Sequence, residues 1–472
     1  MFLERPEYEV LYGGSAGGGK SDASLMEALS QIHISHYKAV IFRKTYPQLT
    51  ELIDRSMHLY KAICPTAKYN GSSHLWTFPT GSQIYFASMG GSSPKENQQG
   101  KAYDCIIFDE LTHFLWEEYS YMFSRNRPTG KGTRVCMRAT TNPGGVGHSW
   151  VKERWQIGTT PPMTTIWEHN KVPDGNGGIK VVSRDRIFVP ATVFDNRKLL
   201  ENDPNYIANL SMLDEATKNA LLNGDWDSFS GQCFKLIDNK AGYDTQQWTN
   251  VVNPFRIPKE WKVIRAYDFG YTRPSACLWI AIVPHTQVKY VIREMYTTNG
   301  VPNQGNQMHH IDQARMIRDI EENDPNLRGR KITGFADPAI FDESRGMSIA
   351  NEMAKPPNYV VWQKGDHSRY AGKMQVHYHL AFNEDGYSHL YIFNSCKNTI
   401  RTIPSLVYDD TNVEDVNTNG TEDHIYDALR YGLMSNQIAP QRNYADKIDP
   451  SLDFDPLNQR SDGGGVLTFK HF

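Results

Sequence analysis

Apolar and polar positions alternate with two different periods along the first third of the chain. The stretch from Lys20 to about Ile32 and a segment after Pro47 predict helices. Strands are predicted at Tyr8–Tyr12, Lys38–Arg43, Leu75–Phe78, Gln83–Ala87, Asp104–Phe108 and Arg134–Ala139. Because several of these runs are continuously apolar, they are expected to be buried on both faces. This pattern is typical of a mostly parallel sheet covered by helices, so residues 1–150 predict an α/β domain.

A second pattern follows a less regular middle segment. Residues 151–253 contain a predicted helix from about Asp203 to Asn223 and indicate a lid or linker subdomain. Residues 254–440 follow the order β-β-β-α-β-α-β-α, which matches ribonuclease H-like folds, and residues 441–472 predict a flexible tail. The predicted elements of 254–440 include strands Lys262–Tyr267, Ala276–Val283, Lys289–Met295 and Ile332–Ala336, and helices Asn306–Glu322 and Glu422–Ser435.

Composition narrows the class of protein. The chain has 472 residues, 22% of them charged, and a formal net charge of −3, so any binding of nucleic acid must use a local patch. No pair of its six cysteines has C-x-x-C spacing, which argues against a zinc site and favours a reducing compartment. No apolar stretch approaches ~18 residues, and the start MFLERPEYEV has no signal-peptide pattern. A soluble intracellular protein is expected.

A complete phosphate-binding motif lies between the first predicted strand and helix. Residues 14–21, GSAGGGKS, fit G-x-x-x-x-G-K-[ST]. Gly14, Gly17 and Gly19 allow backbone N–H groups to face phosphates, Lys20 is placed to reach the β- and γ-phosphates, and Ser21 to bind Mg²⁺. The alternative, a glycine-rich turn without a ligand, fits this strand-to-helix context less well. We call residues 14–21 the P-loop.

Two further strand ends carry polar residues suited to ATP hydrolysis. Asp109 and Glu110 follow an apolar strand, where Asp109 suits the Mg²⁺-bound water shell and Glu110 suits polarising the attacking water. Thr141 and Asn142 end the next strand and are candidates for sensing the γ-phosphate. The alternatives are an acidic strand cap for the first pair and a simple Asn-Pro turn before Pro143 for the second.

A second set of acids lies in the later pattern. Asp268 and Asp337 each end a predicted strand, and Asp423 and Asp427 are four residues apart on one face of the last predicted helix. Carboxylates in this arrangement can hold two Mg²⁺ or Mn²⁺ ions, which would act on a phosphodiester. Alternatively, each acid is a separate solvated carboxylate, and Asp423 only complements the helix N-terminus.

The order of these motifs resembles the large subunit of tailed-bacteriophage terminases. The similarity spans about residues 8–436 and includes VIFRKTYPQL, PATVFDN, ALLNGDWD and DHIYDALRYG. It implies a RecA-like (ASCE) P-loop ATPase domain followed by a ribonuclease H-like nuclease domain. It also implies an ATP-driven motor that packages double-stranded DNA into a procapsid in the bacterial host cytoplasm, and cuts concatemeric DNA.

The resemblance also implies cofactors, partners and site residues. ATP and Mg²⁺ would bind at the first site, and Asp268, Asp337 and Asp427 would hold nuclease metals, with Asp423 as a further candidate. The implied partners are the portal protein, the small terminase subunit and other copies of the chain in a ring, expected to be a pentamer; no membrane is implied.

The chain departs from the family pattern in its arginines. Ser15 stands where many members carry a P-loop arginine, and no arginine lies beside Gly100, where many have a finger that acts on a neighbouring subunit. We assign the finger to Arg127, with Arg125 and Lys101 as alternatives. A surface arginine without catalytic role is an equally good interpretation of Arg127.

Two other functions remain as alternatives. A DNA translocase or helicase with a non-cutting second domain would not need three convergent acids. A capsid-docking assembly protein with a vestigial ATPase would not need the complete set of Lys20, Ser21, Asp109 and Glu110.

Overall fold

The computed structural model describes residues 2–90, 96–213, 215–227, 229, 231–344, 346–409, 412, 414–418 and 420–440. Two mixed α/β sheets organise these residues. The helices of the described part are too short or too polar to traverse a bilayer. The predicted tail, residues 441–472, lies outside the described residues.

The first sheet contains nine strands in the order β3-β4-β5-β2-β6-β7-β1-β9-β8. Its strands are β1 (Glu9–Gly14), β2 (Lys38–Arg43), β3 (Lys68–Asn70), β4 (Leu75–Thr77), β5 (Gln83–Ser88), β6 (Cys105–Asp109), β7 (Cys136–Thr141), β8 (Ile166–Pro173) and β9 (Ile179–Ala191). The accompanying helices are α1 (Lys20–Ala28), α2 (Tyr46–Ile63), α3 (Trp116–Tyr121), α4 (His148–Arg154), α5 (Arg197–Asn202), α6 (Tyr206–Ser211) and α7 (Glu215–Lys218). The strand predictions for residues 8–139 are confirmed within a few residues at each end.

Burial on both faces of this sheet is also confirmed. Within β6, Ile106 and Phe108 pack into one apolar cluster, while Cys105 and Ile107 pack into another on the opposite face. All four side chains are fully buried. Helices therefore cover both faces, and chemistry is confined to the sheet edge where the parallel strands end.

The parallel register aligns the strand ends at that edge. β7 pairs in parallel with both β1 and β6, so that Thr140 lies opposite Tyr12 on one side and Asp109 on the other. β2 pairs in parallel with β6, with Phe42 opposite Phe108, which places Arg43 beside Asp109. The P-loop follows β1 directly and therefore begins at the same edge.

The middle segment differs from the sequence prediction in two respects. A long antiparallel hairpin, β8–β9, joins the first sheet because β9 pairs in parallel with β1. The single helix predicted from about Asp203 to Asn223 is wrong, because the described residues form α6, α7 and a π-helical turn over Asn219–Asn223. Instead of forming one continuous helix, this segment packs against the P-loop. The side chain of Tyr206 and the carbonyl of Leu221 both contact the P-loop.

The second sheet contains seven strands in the order β10-β16-β13-β12-β11-β14-β15. Its strands are β10 (Val251–Val252), β11 (Lys262–Asp268), β12 (Ala276–Ile282), β13 (Lys289–Tyr296), β14 (Thr333–Ala336), β15 (Gln363–Lys364) and β16 (Leu390–Phe393). Its helices are α8 (His310–Asn323), α9 (Ile349–Met353), α10 (Arg369–Leu380), α11 (Lys397–Thr402) and α12 (His424–Met434). β11, β12 and β13 form an antiparallel meander and β14 pairs in parallel with β11, the ribonuclease H-like arrangement expected from the element order.

Helix α12 packs directly on the centre of this sheet. A Cβ atom built at Gly432 would lie 2.7 Å from Ile280 Cδ1 and 3.1 Å from Ala266 Cβ. The helix can approach β11 and β12 this closely because Gly432 has no side chain. This close packing sets the position of Asp427, in the first turn of α12, and of Asp423, which immediately precedes the helix.

We therefore expect Gly432→Val to lower the free energy of unfolding by about 2–3 kcal/mol, because the added methyl groups overpack the helix–sheet contact. Urea unfolding followed by circular dichroism measures the change. The matched control is Gly71→Val, since a Cβ atom there would have no neighbour within 4 Å. Equal losses of stability in the two variants would contradict this description of the packing.

Candidate nucleotide and nuclease sites

The P-loop wraps the start of α1 in a conformation that depends on glycine. Gly17 and Gly19 have φ angles of 73° and 74°, in the left-handed region that side chains disfavour. The Lys20 ammonium group is nearly buried and donates a hydrogen bond to the carbonyl of Ser15. Burial lowers the pKa of Lys20, while the nearby carboxylates of Glu110 and Asp109 act in the opposite direction.

The middle segment closes over this loop. The backbone N–H of Ser15 donates to the carbonyl of Ala191 at 2.8 Å, and that of Ala16 donates to the carbonyl of Leu221 at 2.7 Å. The side chain of Asn196 donates to the carbonyl of Gly17 at 2.7 Å. The segment after β9 therefore contacts the P-loop backbone directly, as a lid would.

Asp109 is the most heavily bonded acid at this edge. Ser21 Oγ lies 3.4 Å from its Oδ2, Arg43 Nε donates to the same oxygen at 2.6 Å, and Thr140 donates to Oδ1. The carboxylate is fully buried. Ser21 and Asp109, both oxygen donors, are thus side by side beneath the P-loop, a donor set that fits a hard cation such as Mg²⁺.

Glu110 is held by the residue predicted to sense the γ-phosphate. The backbone N–H of Asn142 donates to Glu110 Oε2 at 3.2 Å, and its side-chain amide donates to Oε1 at 3.1 Å. Glu110 has a φ angle of 60°, so its backbone turns sharply where β6 ends. Burial raises the pKa of Glu110, and the charge of Asp109 adds to this shift. Both features are typical of a functional carboxylate.

Arg127 lies at the opposite end of β6. Its backbone N–H donates to the carbonyl of Tyr103, two residues before β6 begins, whereas the P-loop lies beyond the carboxyl end. At ~3.3 Å per residue, the six steps along the chain from Tyr103 to Asp109 span about 20 Å. Arg127 is exposed, and Arg125 stacks on the Tyr121 ring at 5.4 Å. The structure therefore does not bring Arg127 to the P-loop of its own chain.

The second set of acids gathers at the carboxyl edge of the second sheet. Tyr267 of β11 pairs with Ala336 of β14, so Asp268 and Asp337 follow at adjacent strand ends. The N–H of Asp337 donates to the carbonyl of Tyr267 at 3.0 Å, and Tyr431 of α12 donates to Asp337 Oδ1 at 3.3 Å. The packing of α12 thus closes the site from a third side.

The charges on these acids are only partly neutralised. Burial raises the pKa of Asp268 to about 7, where His424 opposes the shift and Asp427 and Asp337 add to it. Burial also raises the pKa of Asp423 to about 6. Asp427 Oδ1 accepts hydrogen bonds from Arg430 at 2.7 and 3.1 Å.

This acidic cluster fits hard divalent cations by its donor chemistry. Its acids offer carboxylate oxygens, and a cation would offset the burial and the repulsion by Asp427 and Asp337 that raise the pKa of Asp268. Among the described residues, no three of Asp268, Asp337, Asp423 and Asp427 have oxygens that all lie within 4.8 Å of one another. One group of metal-capable side chains does, Glu27, Cys105 and Cys136. There the guanidinium of Arg138, 3.0 Å from Glu27, already supplies the positive charge.

The comparison with protein families gives a clear match. The family described as "Terminase large subunit, T4likevirus-type, N-terminal" matches residues 11–240, which include the P-loop, Asp109, Glu110 and Asn142. Over this range, just under half of the chain, the sequence is similar to the terminase large-subunit family. The resemblance inferred from the motifs is thereby confirmed. No curated protein matches the chain.

Solved structures of large terminases are also similar to this chain. A large terminase from a thermophilic bacteriophage shares 16% identity, with 92% of this chain and 95% of that chain covered and a TM-score of 0.36. The HK97 bacteriophage large terminase shares 9% identity over 92% and 91% of the chains, with a TM-score of 0.43. The P22 large terminase nuclease domain shares 17% identity over 44% of this chain and 92% of that domain, with a TM-score of 0.33.

Several residues at these two sites carried no assignment from sequence. Arg43 and Thr140 both donate to Asp109. His424 contacts Asp268, and Asn303 contacts His424. Arg43 could have been found as the polar residue that ends a buried strand next to the Asp109 strand. Asn303 lies in a loop, and no spacing in the sequence points to it.

We expect Arg43→Met to lower the free energy of unfolding of the protein by about 1–3 kcal/mol, because the buried Asp109 carboxylate loses its cationic partner. Arg55→Met is the matched control: Arg55 pairs with Asp22 in solvent, with side-chain exposures of 62% and 40%, and such pairs contribute ~0–1 kcal/mol. Urea unfolding of both variants tests the difference. A loss for Arg43→Met no larger than for Arg55→Met would contradict it.

Proposed function

We propose that this terminase is an ATP-driven motor that moves double-stranded DNA into a procapsid and cuts concatemeric DNA with a metal-dependent nuclease domain. One observation carries the proposal. A single chain places a P-loop with Asp109, Glu110 and Asn142 at the edge of one sheet, and converging acids at the edge of a second. The match of residues 11–240 to the terminase large-subunit family supports the link between them.

In the first domain, ATP would lie on the P-loop. The backbone of Gly14, Gly17 and Gly19 would face the phosphates, and Lys20 would turn from the Ser15 carbonyl to the β- and γ-phosphates. Ser21 and Asp109 would hold Mg²⁺, which neutralises phosphate charge when bound.

Hydrolysis would depend on Glu110. Its raised pKa makes it a better proton acceptor than an ordinary glutamate, so it is suited to polarise the attacking water. Because Asn142 bonds Glu110 through both its backbone and its side chain, a change at the γ-phosphate would reach the segment after β7. A finger from a neighbouring subunit, for which Arg127 remains the proposed residue, would complete the site.

In the second domain, Asp268, Asp337 and Asp427 would hold two Mg²⁺ or Mn²⁺ ions, with Asp423 as a further ligand. Such ions, when bound, stabilise the attacking and leaving oxygens of a phosphodiester. The chain's own contribution is to fix the acids on two adjacent strand ends and one packed helix.

The partners follow from the family. We propose that the chain works as a ring of copies, expected to be a pentamer, on the portal protein of a procapsid in the bacterial cytoplasm, with the small terminase subunit. The net charge of −3 fits a grip on DNA that is weak in one subunit and strengthened by the ring.

A second candidate is a DNA translocase whose second domain does not cut. It is favoured by the internal pairing of the acids, since Arg430 bonds Asp427 and His424 lies 3.0 Å from Asp268. Nuclease assays with Mg²⁺ and Mn²⁺ separate the two candidates.

We expect Glu110→Gln to lower the rate of ATP hydrolysis by at least ~100-fold while ATP binding persists, because the amide cannot accept the proton of the attacking water. Steady-state ATPase assays and nucleotide-binding titrations measure the two quantities. Glu51→Gln, at an exposed position on α2, is the control and should hydrolyse ATP normally. Full ATPase activity in Glu110→Gln would rule out its role as the base.

We expect Asp268→Asn to abolish cleavage of linear double-stranded DNA in Mn²⁺ and to leave ATPase activity unchanged, because an amide is a poor ligand for a hard cation. The control Asp319→Asn changes an exposed acid on α8 and should cut normally. If Asp268→Asn cuts as fast as the wild type, the proposed nuclease site is wrong.

A further inference from the structure

We propose that Asn303 and His424 are positioning residues of the nuclease site, which fix the direction in which Asp268 presents its carboxylate to metal. This inference rests on the proposed nuclease function and extends it to two residues beyond the four acids. The observations behind it are a continuous series of contacts, from a loop of the second domain to the acid.

His424 bridges the acid and the loop. Its Nδ1 atom lies 3.0 Å from Asp268 Oδ2, and its Nε2 atom lies 3.2 Å from Asn303 Oδ1. The ring is at the first residue of α12, and its side chain is only 16% exposed. Because both ring nitrogens are engaged, the plane of the imidazole is set by its two partners.

Asn303 is itself held firmly. It is 5% exposed and has a φ angle of 56°, a left-handed conformation that asparagine tolerates better than most residues. Its Nδ2 atom donates to the carbonyl of Thr421 at 2.9 Å, which directs Oδ1 toward the ring. Asn303 Oδ1 and the Asp268 carboxylate are both acceptors, so His424 donates from Nε2 to the first and from Nδ1 to the second.

The loop that carries Asn303 is tied to the rest of the molecule. Arg273 donates to the carbonyl of Asn303 and to the carboxylate of Glu117, in each case at 2.9 Å. Glu117 lies on α3 of the first domain. Asn303 thus has a fixed position relative to the acids of the second sheet and to the neighbouring domain.

A metal ligand needs such support because a carboxylate can rotate away from the metal. Removal of an outer partner that orients a ligand typically costs ~10–100-fold in metal affinity or activity. Asp337 and Asp427 have their own partners in Tyr431 and Arg430. For Asp268, the side chain that orients it is His424, backed by Asn303.

The experiment uses the full chain and two readouts. The first is the Mn²⁺ concentration that gives half-maximal DNA cleavage, and the second is the rise in melting temperature on adding Mn²⁺ without DNA or nucleotide. The variants are Asn303→Ala, His424→Ala and His424→Asn, whose amide can replace the Nδ1 contact alone. The control is Asn299→Ala, an exposed residue of the same loop. ATPase activity reports that the first domain is intact.

We expect Asn303→Ala and His424→Ala to raise the half-maximal Mn²⁺ concentration by about 10-fold or more and to diminish the Mn²⁺-induced rise in melting temperature. His424→Asn should keep more of both than His424→Ala, a rescue that a purely structural role would not give. ATPase activity and the Asn299→Ala control should be unchanged.

Two results overturn the proposal in different ways. If the wild type cleaves DNA and loses cleavage in Asp268→Asn, but both alanine variants titrate with Mn²⁺ like the wild type, the positioning role alone is wrong. If the wild type does not cleave and Asp268→Asn leaves the Mn²⁺-induced stabilisation unchanged, the nuclease assignment itself fails, and the positioning role with it.

Discussion

The parallel pairing of β7 with β1 on one side and β6 on the other is the constraint on which the first site depends. It brings Tyr12, Thr140 and Asp109 into line at one edge of the sheet. The P-loop, Asp109 and Asn142 could not meet if any of these strands slipped, because a slip of one residue turns every side chain to the other face. In the second sheet, the parallel pairing of β11 with β14 likewise places Asp268 beside Asp337.

Much of this arrangement could be predicted from the sequence, because its signals are local. The run Cys105–Phe108 is apolar at every position, and such a run indicates a strand buried on both faces. The P-loop and the acids that end β6, β11 and β14 are read from composition and spacing. Their proximity follows from a general property of parallel sheets, in which strands end at a common edge. The structure does place Asp109 next to Ser21 and Glu110 next to Asn142.

The remainder could not be predicted, because it depends on contacts between distant segments. The outer part of the β8–β9 hairpin is exposed, so no apolar alternation marks it in the sequence, whereas Ile187, Phe188 and Val189 at the inner end of β9 are buried. The segment predicted as one helix is divided into shorter helices, because it packs against the P-loop. Asn303 approaches His424 across 121 positions of sequence, and Arg273 joins Glu117 across 156. A motif with a fixed spacing along the sequence cannot identify contacts between residues this far apart. Asn303 and Arg273 belong to the part of the second domain that contacts the first, so the proposed nuclease site depends in part on contacts between the domains.

The central claim is that two separate chemistries reside on one chain, with ATP hydrolysis at the first sheet and DNA cleavage at the second. Plasmid cleavage by the wild type and by Asp337→Ala, each in Mg²⁺ and in Mn²⁺ and with ATPase activity measured on the same samples, tests it most directly. The account predicts metal-dependent cutting by the wild type, no cutting by Asp337→Ala, and equal ATPase activity in both. Cutting that survives in Asp337→Ala, or wild-type protein that fails to cut in either metal, would contradict it.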